Sequence, residues 1–170
     1  NMLKENVTKL LNEQINKEMY SAYLYFDMAN FYVNKGMNGF ANWFNIQAKE
    51  EMDHALLFVK YLQNNGFEVT LSAIAKPDKK YKDLKEPLVE ALKHEEYVTD
   101  SINKIYTEAL KVSDYRTLEF LNWFIKEQGE EEKNANDLIV AYDLHGNRGM
   151  FALDNKLGDR IYTAPSLQLD

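Results

Sequence analysis

Long stretches with helical periodicity and few breaks are the feature that most constrains this sequence. Only seven glycines and three prolines interrupt its 170 residues. Between these interruptions, apolar side chains recur at intervals of three and four residues, which places them on one face of an α-helix. The pattern predicts an all-α chain whose four long helices cover about 6–35, 40–65, 83–112 and 114–144.

The connections between these helices predict how the bundle is wound. Gly36–Gly39 and Ser113–Asp114 are short breaks. By contrast, 67–82 lacks helical periodicity and contains Pro77, and an irregular segment of this length is typical of a crossover along a bundle. Two short connections on either side of one long connection predict an up-down-down-up four-helix bundle over about 6–144.

A short fifth helix is predicted at about 150–161. The break at 146–149 ends the fourth helix, and apolar residues then recur at helical spacing. Because this helix is too short to join the core along its length, we expect its apolar stripe to pack against other subunits. Including this helix, 1–170 is predicted to form one domain. The stripe consists of Met150, Leu153, Leu157 and Ile161.

Composition and charge exclude several classes of function. The absence of cysteine rules out a disulfide scaffold, cysteine-ligated zinc and iron–sulfur clusters. A net charge of −7 argues against a general nucleic-acid-binding protein, which needs a basic face, but it suits the attraction of cations. No apolar run approaches the roughly 18 residues of a membrane span. The first residues lack the apolar core of a signal peptide, so the cytoplasm is the expected location.

Each long helix carries a carboxylate on its apolar stripe, away from the helix ends. These residues are Glu18, Glu51, Glu95 and Glu131. A buried glutamate is costly unless it is paired, and no lysine or arginine takes a comparable stripe position. His54 lies three residues after Glu51, so the two side chains share one face of a helix, one turn apart.

This arrangement suits a metal site in the core. Two divalent cations would balance four carboxylates, and oxygen-rich ligation with one imidazole suits iron or manganese and also accommodates zinc. The alternative is that the stripes are phased differently and that these glutamates lie on solvated faces. The chain would then be a non-enzymatic helical scaffold or binding protein, and its metal content after purification would distinguish the two.

Four segments resemble those of bacterial non-haem ferritins, and the resemblance covers nearly the whole chain. They are NEQINKEMYSAYLY around Glu18, AKEEMDHA around Glu51, HEEY around Glu95 and NWFIKEQGEEE around Glu131. The resemblance implies a ferritin-like domain that stores and detoxifies iron as a ferroxidase. It implies a homo-oligomer of 24 subunits, a hollow cage with octahedral symmetry. Each subunit would oxidise Fe(II) with O2 or H2O2 and deposit ferric mineral inside.

On the matching positions, the resemblance implies a di-iron centre within each subunit. One iron would be held by Glu18, Glu51 and His54. The second would be held by Glu51, Glu95 and Glu131. Glu51 would therefore bridge the two ions, and the four helices would each contribute at least one ligand.

The resemblance also implies a third iron position on the inner surface of the cage. It maps onto Glu50, Glu127 and Glu130, with Glu131 shared between this position and the di-iron centre. From spacing alone, the acidic run 127–132 would be a solvated face. The resemblance favours the metal position.

Two more residues are assigned to the neighbourhood of the centre. Gln128 would lie beside it as a hydrogen-bonding neighbour. Tyr25 lies on the stripe of Glu18, about 10 Å further along the helix axis. Its phenol could donate a hydrogen bond or an electron there, and packing in the core is the alternative role.

Departures from related families narrow the prediction. Gln128 stands where the haem-containing bacterioferritins carry the first residue of a second E-x-x-H, which favours the non-haem branch, and Met52, at the position of their haem ligand, is assigned to packing. Bacterioferritins and other di-iron carboxylate oxidases are the alternatives. The fifth helix disfavours a mini-ferritin, and the lack of cysteine pairs disfavours a rubrerythrin-like peroxidase. His94 points about 100° away from Glu95 and is not counted as a ligand.

Overall fold

The computed structural model describes residues 2–170, which contain helices and loops but no strand. The all-α class and the predicted bundle are confirmed, and position 1 of the predicted domain lies outside the described residues. Within 2–170, no helix combines the length and the apolarity that a membrane crossing needs. The helices are α1 (Met2–Asn34), α2 (Asn38–Asn64), α3 (Glu86–Lys111), α4 (Tyr115–His145) and α5 (Met150–Leu157), with a 3₁₀ turn (Asn147–Gly149) before α5.

Two tight turns and one long crossover join the long helices. Gly36 between α1 and α2 has a φ of +75°, and Ser113 between α3 and α4 has a φ of +56°, so both turns use the left-handed region. The crossover at 65–85 has no helix or strand, and the side chains of Asn12 and Asn16 on α1 donate hydrogen bonds to its carbonyls. Packing of α1 on α2, α3 on α4 and α1 on α3 gives the up-down-down-up order.

Two apolar clusters lie along the bundle, with a polar layer between them. In α1, Ile15 belongs to one cluster and Tyr25 to the other, and the buried Glu18 lies between them. The other three long helices repeat this order of apolar, polar and apolar segments. The polar layer is therefore enclosed on both sides by side chains that exclude water.

The fifth helix differs from its prediction in length and in partner. It ends at Leu157 rather than near position 161, and Ile161 is 78 % exposed. Leu153 and Leu157 are buried in a core cluster of their own chain, against α2 and α4, and not reserved for other subunits. At this end, the Asn42 amide donates to the carbonyls of Leu157, Gly158 and Arg160. In a longer helix, backbone amides of the following turn would bond to these carbonyls, so the helix stops here.

A close approach of backbones docks α5 on the start of α2. A Cβ built at Gly39 would lie 1.6 Å from the carbonyl oxygen of Asp154. The Asp154 carboxylate also accepts a hydrogen bond from the Phe40 amide (2.9 Å), so α5 caps the first turn of α2. Gly39 is therefore required by packing between two helices.

We expect Gly39→Ala to destabilise the protein by about 1–3 kcal/mol, because the added methyl must push α5 off α2. Gly129→Ala is the matched control, since a Cβ there meets nothing within 4 Å and removes the cost of a mid-helix glycine, about 1 kcal/mol. Thermal unfolding of the two variants should shift in opposite directions. Equal shifts would contradict the proposed docking of α5.

Candidate metal centre

Six buried polar side chains from all four long helices form the polar layer. Each is at most 4 % exposed, although each is charged or strongly polar. Helical spacing explains how they meet, because the four stripes carry them at the same depth between the two apolar clusters. They are Glu18 on α1, Glu51 and His54 on α2, Glu95 on α3, and Gln128 and Glu131 on α4.

Two groups of potential ligands share one residue. The first consists of Glu18, Glu51 and His54, and the second of Glu51, Glu95 and Glu131, with the ligand atoms of each group within 4.8 Å of one another. His54 Nδ1 lies 3.4 Å from a Glu51 oxygen and 4.0 Å from a Glu18 oxygen. The structure thus brings together every residue predicted for the di-iron centre, and Glu51 is the residue that the two groups share.

Hydrogen bonds do not satisfy every buried polar atom of this layer. In the described part of the chain, Glu18 Oε2, Glu51 Oε2 and His54 Nδ1 are buried without a hydrogen-bond partner. A buried polar atom without a partner is costly, and lone pairs that converge on one another repel. A divalent cation would satisfy all three atoms, so the donor set fits a metal ion.

Burial and mutual repulsion disfavour the charged carboxylates. Burial, together with the charges of Glu95, Glu18 and Glu131, raises the pKa of Glu51 well above its usual value. Burial is also the main cause that raises the pKa of Glu95 and, more strongly, that of Glu131. The metal-free centre therefore retains protons at a pH where ordinary carboxyls have lost them, and a divalent cation has to replace those protons.

Three glutamines orient the carboxylates. Gln128 Nε2 donates to Glu95 Oε2 (3.1 Å), as the predicted hydrogen-bonding neighbour would. Gln47 Nε2 donates to Glu131 Oε2 (2.6 Å) and to Glu51 Oε1 (3.2 Å), and Gln14 Nε2 donates to Glu18 Oε1 (3.1 Å). The sequence analysis missed the last two glutamines. Their common signal is a glutamine four residues before a stripe glutamate, one helical turn away.

Tyr25 contacts the centre directly, and His94 does not. The Tyr25 hydroxyl donates to Glu95 Oε1 (2.5 Å), and burial raises the pKa of the phenol well above its usual value. His94 Nε2 instead forms a hydrogen bond with Ser21 Oγ (2.6 Å), and its ring packs at 5.8 Å from that of Tyr25. Burial lowers the pKa of His94 to about 4, so this ring is neutral at physiological pH.

The residues predicted for a third iron position share one cavity but do not form one ligand group. Glu127 joins His54 and Glu131 within 4.8 Å, a combination that was not predicted. Glu130 is exposed, and Glu50 is held 3.1 Å from Arg160. All four glutamates line a cavity of about 360 Å³ beside His54. The third position stays a prediction. Of its four glutamates, only Glu127 and Glu131 belong to one group that could hold a metal ion.

Fold and site together define a class: four-helix-bundle proteins with a buried, carboxylate-rich layer at mid-height whose groups could hold metal ions. The family model described as "Ferritin-like domain" matches residues 8–144. The chain belongs to the ferritin family, which confirms the resemblance found in its motifs.

Relatives with known names agree over most of their length. A "Probable bacterial non-heme ferritin-like protein" of Haemophilus influenzae is 37% identical over 160 residues, which cover 93% of this chain and 97% of that protein. A "Bacterial non-heme ferritin" of Campylobacter jejuni is 37% identical over 156 residues, covering 90% and 93%. The open-pore ferritin of Archaeoglobus fulgidus superposes with a TM-score of 0.90 at 34% identity, covering 92% of this chain and 97% of that one.

Proposed function

We propose that this protein stores and detoxifies iron in the cytoplasm. It acts as a ferroxidase that oxidises Fe(II) with O2 or H2O2 at a di-iron centre in each subunit, and it deposits the ferric product as mineral inside a hollow 24-subunit cage. The observation that carries this proposal is the sharing of Glu51 between two adjacent ligand groups. A single shared carboxylate holds two ions close enough to react with one oxidant molecule.

The chemistry of the proposed reaction requires two irons at once. Two Fe(II) ions give up one electron each, and O2 takes both electrons and two protons to leave as H2O2. With H2O2 as the oxidant, two Fe(II) ions and two protons yield two Fe(III) ions and two molecules of water. Glu18, Glu51, His54, Glu95 and Glu131 bind the substrate ions, and the raised pKa values of the carboxyls make proton release a part of iron binding.

The relatives' names and the geometry support the storage role together. Proteins called bacterial non-haem ferritins align with this chain over nearly all of their length, which supports the same role for it. Outward-facing apolar side chains such as Phe26, Tyr115 and Phe151 suit contacts between subunits. A lone subunit would have no enclosed volume in which to keep mineral.

Anaerobic loading with Fe(II) followed by exposure to air tests the proposal. We expect a particle of about 24 subunits that oxidises two Fe(II) ions per subunit rapidly and then retains many more as ferric iron. A monomer or dimer that oxidises two ions and retains no further iron would point to a di-iron oxidase without storage. A chain that neither binds nor oxidises Fe(II) would contradict the proposal.

Tyr25→Phe is expected to weaken the second metal position by about tenfold, because a hydrogen bond to a charged carboxylate contributes about 1.5–3 kcal/mol. The variant removes the hydroxyl that holds Glu95 and leaves the ring in place. Zn(II) titration of the metal-free protein should show one weakened and one unchanged position. Tyr32→Phe is the matched control, since Tyr32 is equally buried but donates to the Leu84 carbonyl, away from the centre. Equal effects of the two substitutions would contradict this role of Tyr25.

A further inference from the structure

The chain beyond α5 returns over the groove between α2 and α4. We call residues 158–170 the C-terminal strap. Asn42 holds its first carbonyls, Trp123 Nε1 on α4 donates to Ser166 Oγ (2.8 Å), and Asn64 Nδ2 on α2 donates to the Asp170 carbonyl (3.0 Å). The path of the strap is therefore fixed at both ends and in the middle, and it covers the cavity of about 360 Å³ beside the metal centre.

Arg160 is the strap residue that reaches furthest toward this centre. Its guanidinium donates to the Trp43 carbonyl (2.9 Å), to Gln47 Oε1 (2.9 Å) and to Glu50 Oε2 (3.1 Å). It also lies 4.3 Å from the centre of the Trp43 ring. Three acceptors and an aromatic face fix this side chain, and only a fifth of it is exposed.

We propose that Arg160 is a positioning residue that serves as a built-in cation at the third iron position. Its guanidinium holds Glu50 Oε2, and a metal ion that takes this oxygen as a ligand displaces Arg160. This inference rests on the proposed function, because it describes how one position of the same site is regulated.

The charges around the cavity support this role. Within the described residues, its lining contains four glutamates, one histidine and Arg160. Glu50 lies 3.1 Å from the guanidinium, whereas Glu127 and Glu131 converge with His54. An arginine has five donors and no acceptor, so it neutralises a carboxylate but never binds a metal ion. At the third position, Arg160 thus occupies one of the predicted ligands, Glu50, and the other ligand group is incomplete.

The consequence is a difference in affinity between neighbouring positions. The two ligand groups of the di-iron centre consist of carboxylates and one imidazole, so a metal ion entering it displaces protons. At the third position, the metal ion also breaks the Arg160–Glu50 pair. Ions are therefore held more weakly at the third position than at the centre, which suits an ion in transit to the mineral.

Zn(II) titration of the metal-free, assembled protein tests the proposal without any oxidation step. We expect two stronger positions and one weaker position per subunit in the unmodified protein. Arg160→Gln should strengthen the weaker position most, by about tenfold, because the competing charge is gone. Its effect on the two stronger positions should be smaller, because Arg160 contacts their ligands only through the Gln47 amide. Arg160→Lys keeps the charge and should resemble the unmodified protein. Arg148→Gln, which removes an exposed arginine elsewhere, should change nothing.

Trp43 offers a readout that leaves Arg160 unchanged. The chain has two tryptophans, so Trp123→Phe leaves Trp43 as the sole reporter. Because this variant also loses the hydrogen bond to Ser166 in the strap, the unmodified protein is titrated beside it. Its emission should change when Zn(II) fills the weaker position, because the guanidinium then leaves the ring. The change should follow the third equivalent and not the first two. This measurement decides the question even if Arg160→Gln fails to assemble.

The outcomes separate this inference from the proposed function. If Zn(II) does not bind at two tight positions in each subunit, the assignment of the di-iron centre is wrong. If it fills two positions but Arg160→Gln leaves the third unchanged or weaker, Arg160 is only an anchor of the strap, and the proposed function stands. An emission change that accompanies the first equivalent, or none at all, would also overturn the role of Arg160.

Discussion

Replacing Glu51 with alanine is expected to abolish the rapid oxidation of the first two Fe(II) ions that each subunit takes up. Glu51 belongs to both ligand groups, so its loss removes one ligand from each metal position. It also removes one of the two carboxylates that accept hydrogen bonds from the Gln47 amide. We expect the initial rate to fall at least about 100-fold, since losing a residue that only supports a ligand already costs 10–100-fold.

Variants of the unshared ligands should damage only one position each. Glu18→Ala and His54→Ala affect the first group, and Glu95→Ala affects the second. Each should lower the number of tightly bound Zn(II) ions from two per subunit to one, whereas Glu51→Ala weakens both. Stopped-flow oxidation with an oxygen electrode, at two irons per subunit and then in excess, measures the corresponding loss of the fast phase.

The acidic residues of the cavity should behave differently from the centre. Losing Glu50, Glu127 or Glu130 should leave rapid oxidation of the first pair, but change the oxygen consumed per iron and the later turnover. Glu131 belongs to both sets and should show both defects. If Glu127→Ala abolished the fast phase and Glu51→Ala kept it, the two sites would be assigned the wrong way round. If neither variant changed the reaction, these carboxylates would not be the oxidation centre.

The polar layer was predictable because a buried charge in a periodic stripe needs a compensating partner. Glu18 and Glu131 are far apart in sequence, yet each interrupts an apolar pattern at the middle of its helix. Periodicity alone then places them at one depth in a bundle. The same reasoning did not find Gln47, because a neutral amide in a stripe needs only a hydrogen-bond partner, which many side chains and backbone groups can supply, and so does not by itself indicate a metal site.

The end of the chain was not predictable in the same way. Apolar residues at 150, 153, 157 and 161 continue a helical spacing, but the helix stops at Leu157 because Asn42 takes up its last carbonyls. That contact depends on the close approach of α5 to Gly39, which exists only once the helices are packed. The placement of Arg160 on Glu50 follows from the same event, since a continuous helix would carry residue 160 elsewhere.

Divalent metal is expected to raise the melting temperature of the metal-free protein by about 10 °C at neutral pH. Binding at a concentration 1,000-fold above Kd stabilises the folded state by about 4 kcal/mol, provided that the unfolded chain binds more weakly. In a domain of this size, 1 kcal/mol corresponds to about 2–4 °C. The unpartnered atoms of Glu18, Glu51 and His54 give the metal ion a preformed set of ligands in the folded state.

The metal-free protein itself should lose stability as pH rises. Burial raises the pKa of Glu51 and Glu131 well above the usual 4.5, so the folded state holds protons that the unfolded chain has released. Their contribution to stability is complete below pH 4.5 and is lost as the pH climbs through the raised pKa values. Metal binding has the opposite trend, because the ligands must be deprotonated.

The increment in melting temperature produced by Zn(II) should therefore grow between pH 5 and pH 8, while the melting temperature without metal falls over the same range. Glu131→Gln should remove part of both trends, since the amide neither ionises nor binds metal as a carboxylate does. Glu119→Gln is the matched control, an exposed glutamate of the same helix that lines neither the centre nor the cavity beside it, and it should leave both trends intact. An increment that is equal at the two pH values, or equally altered by both substitutions, would contradict a buried carboxylate centre.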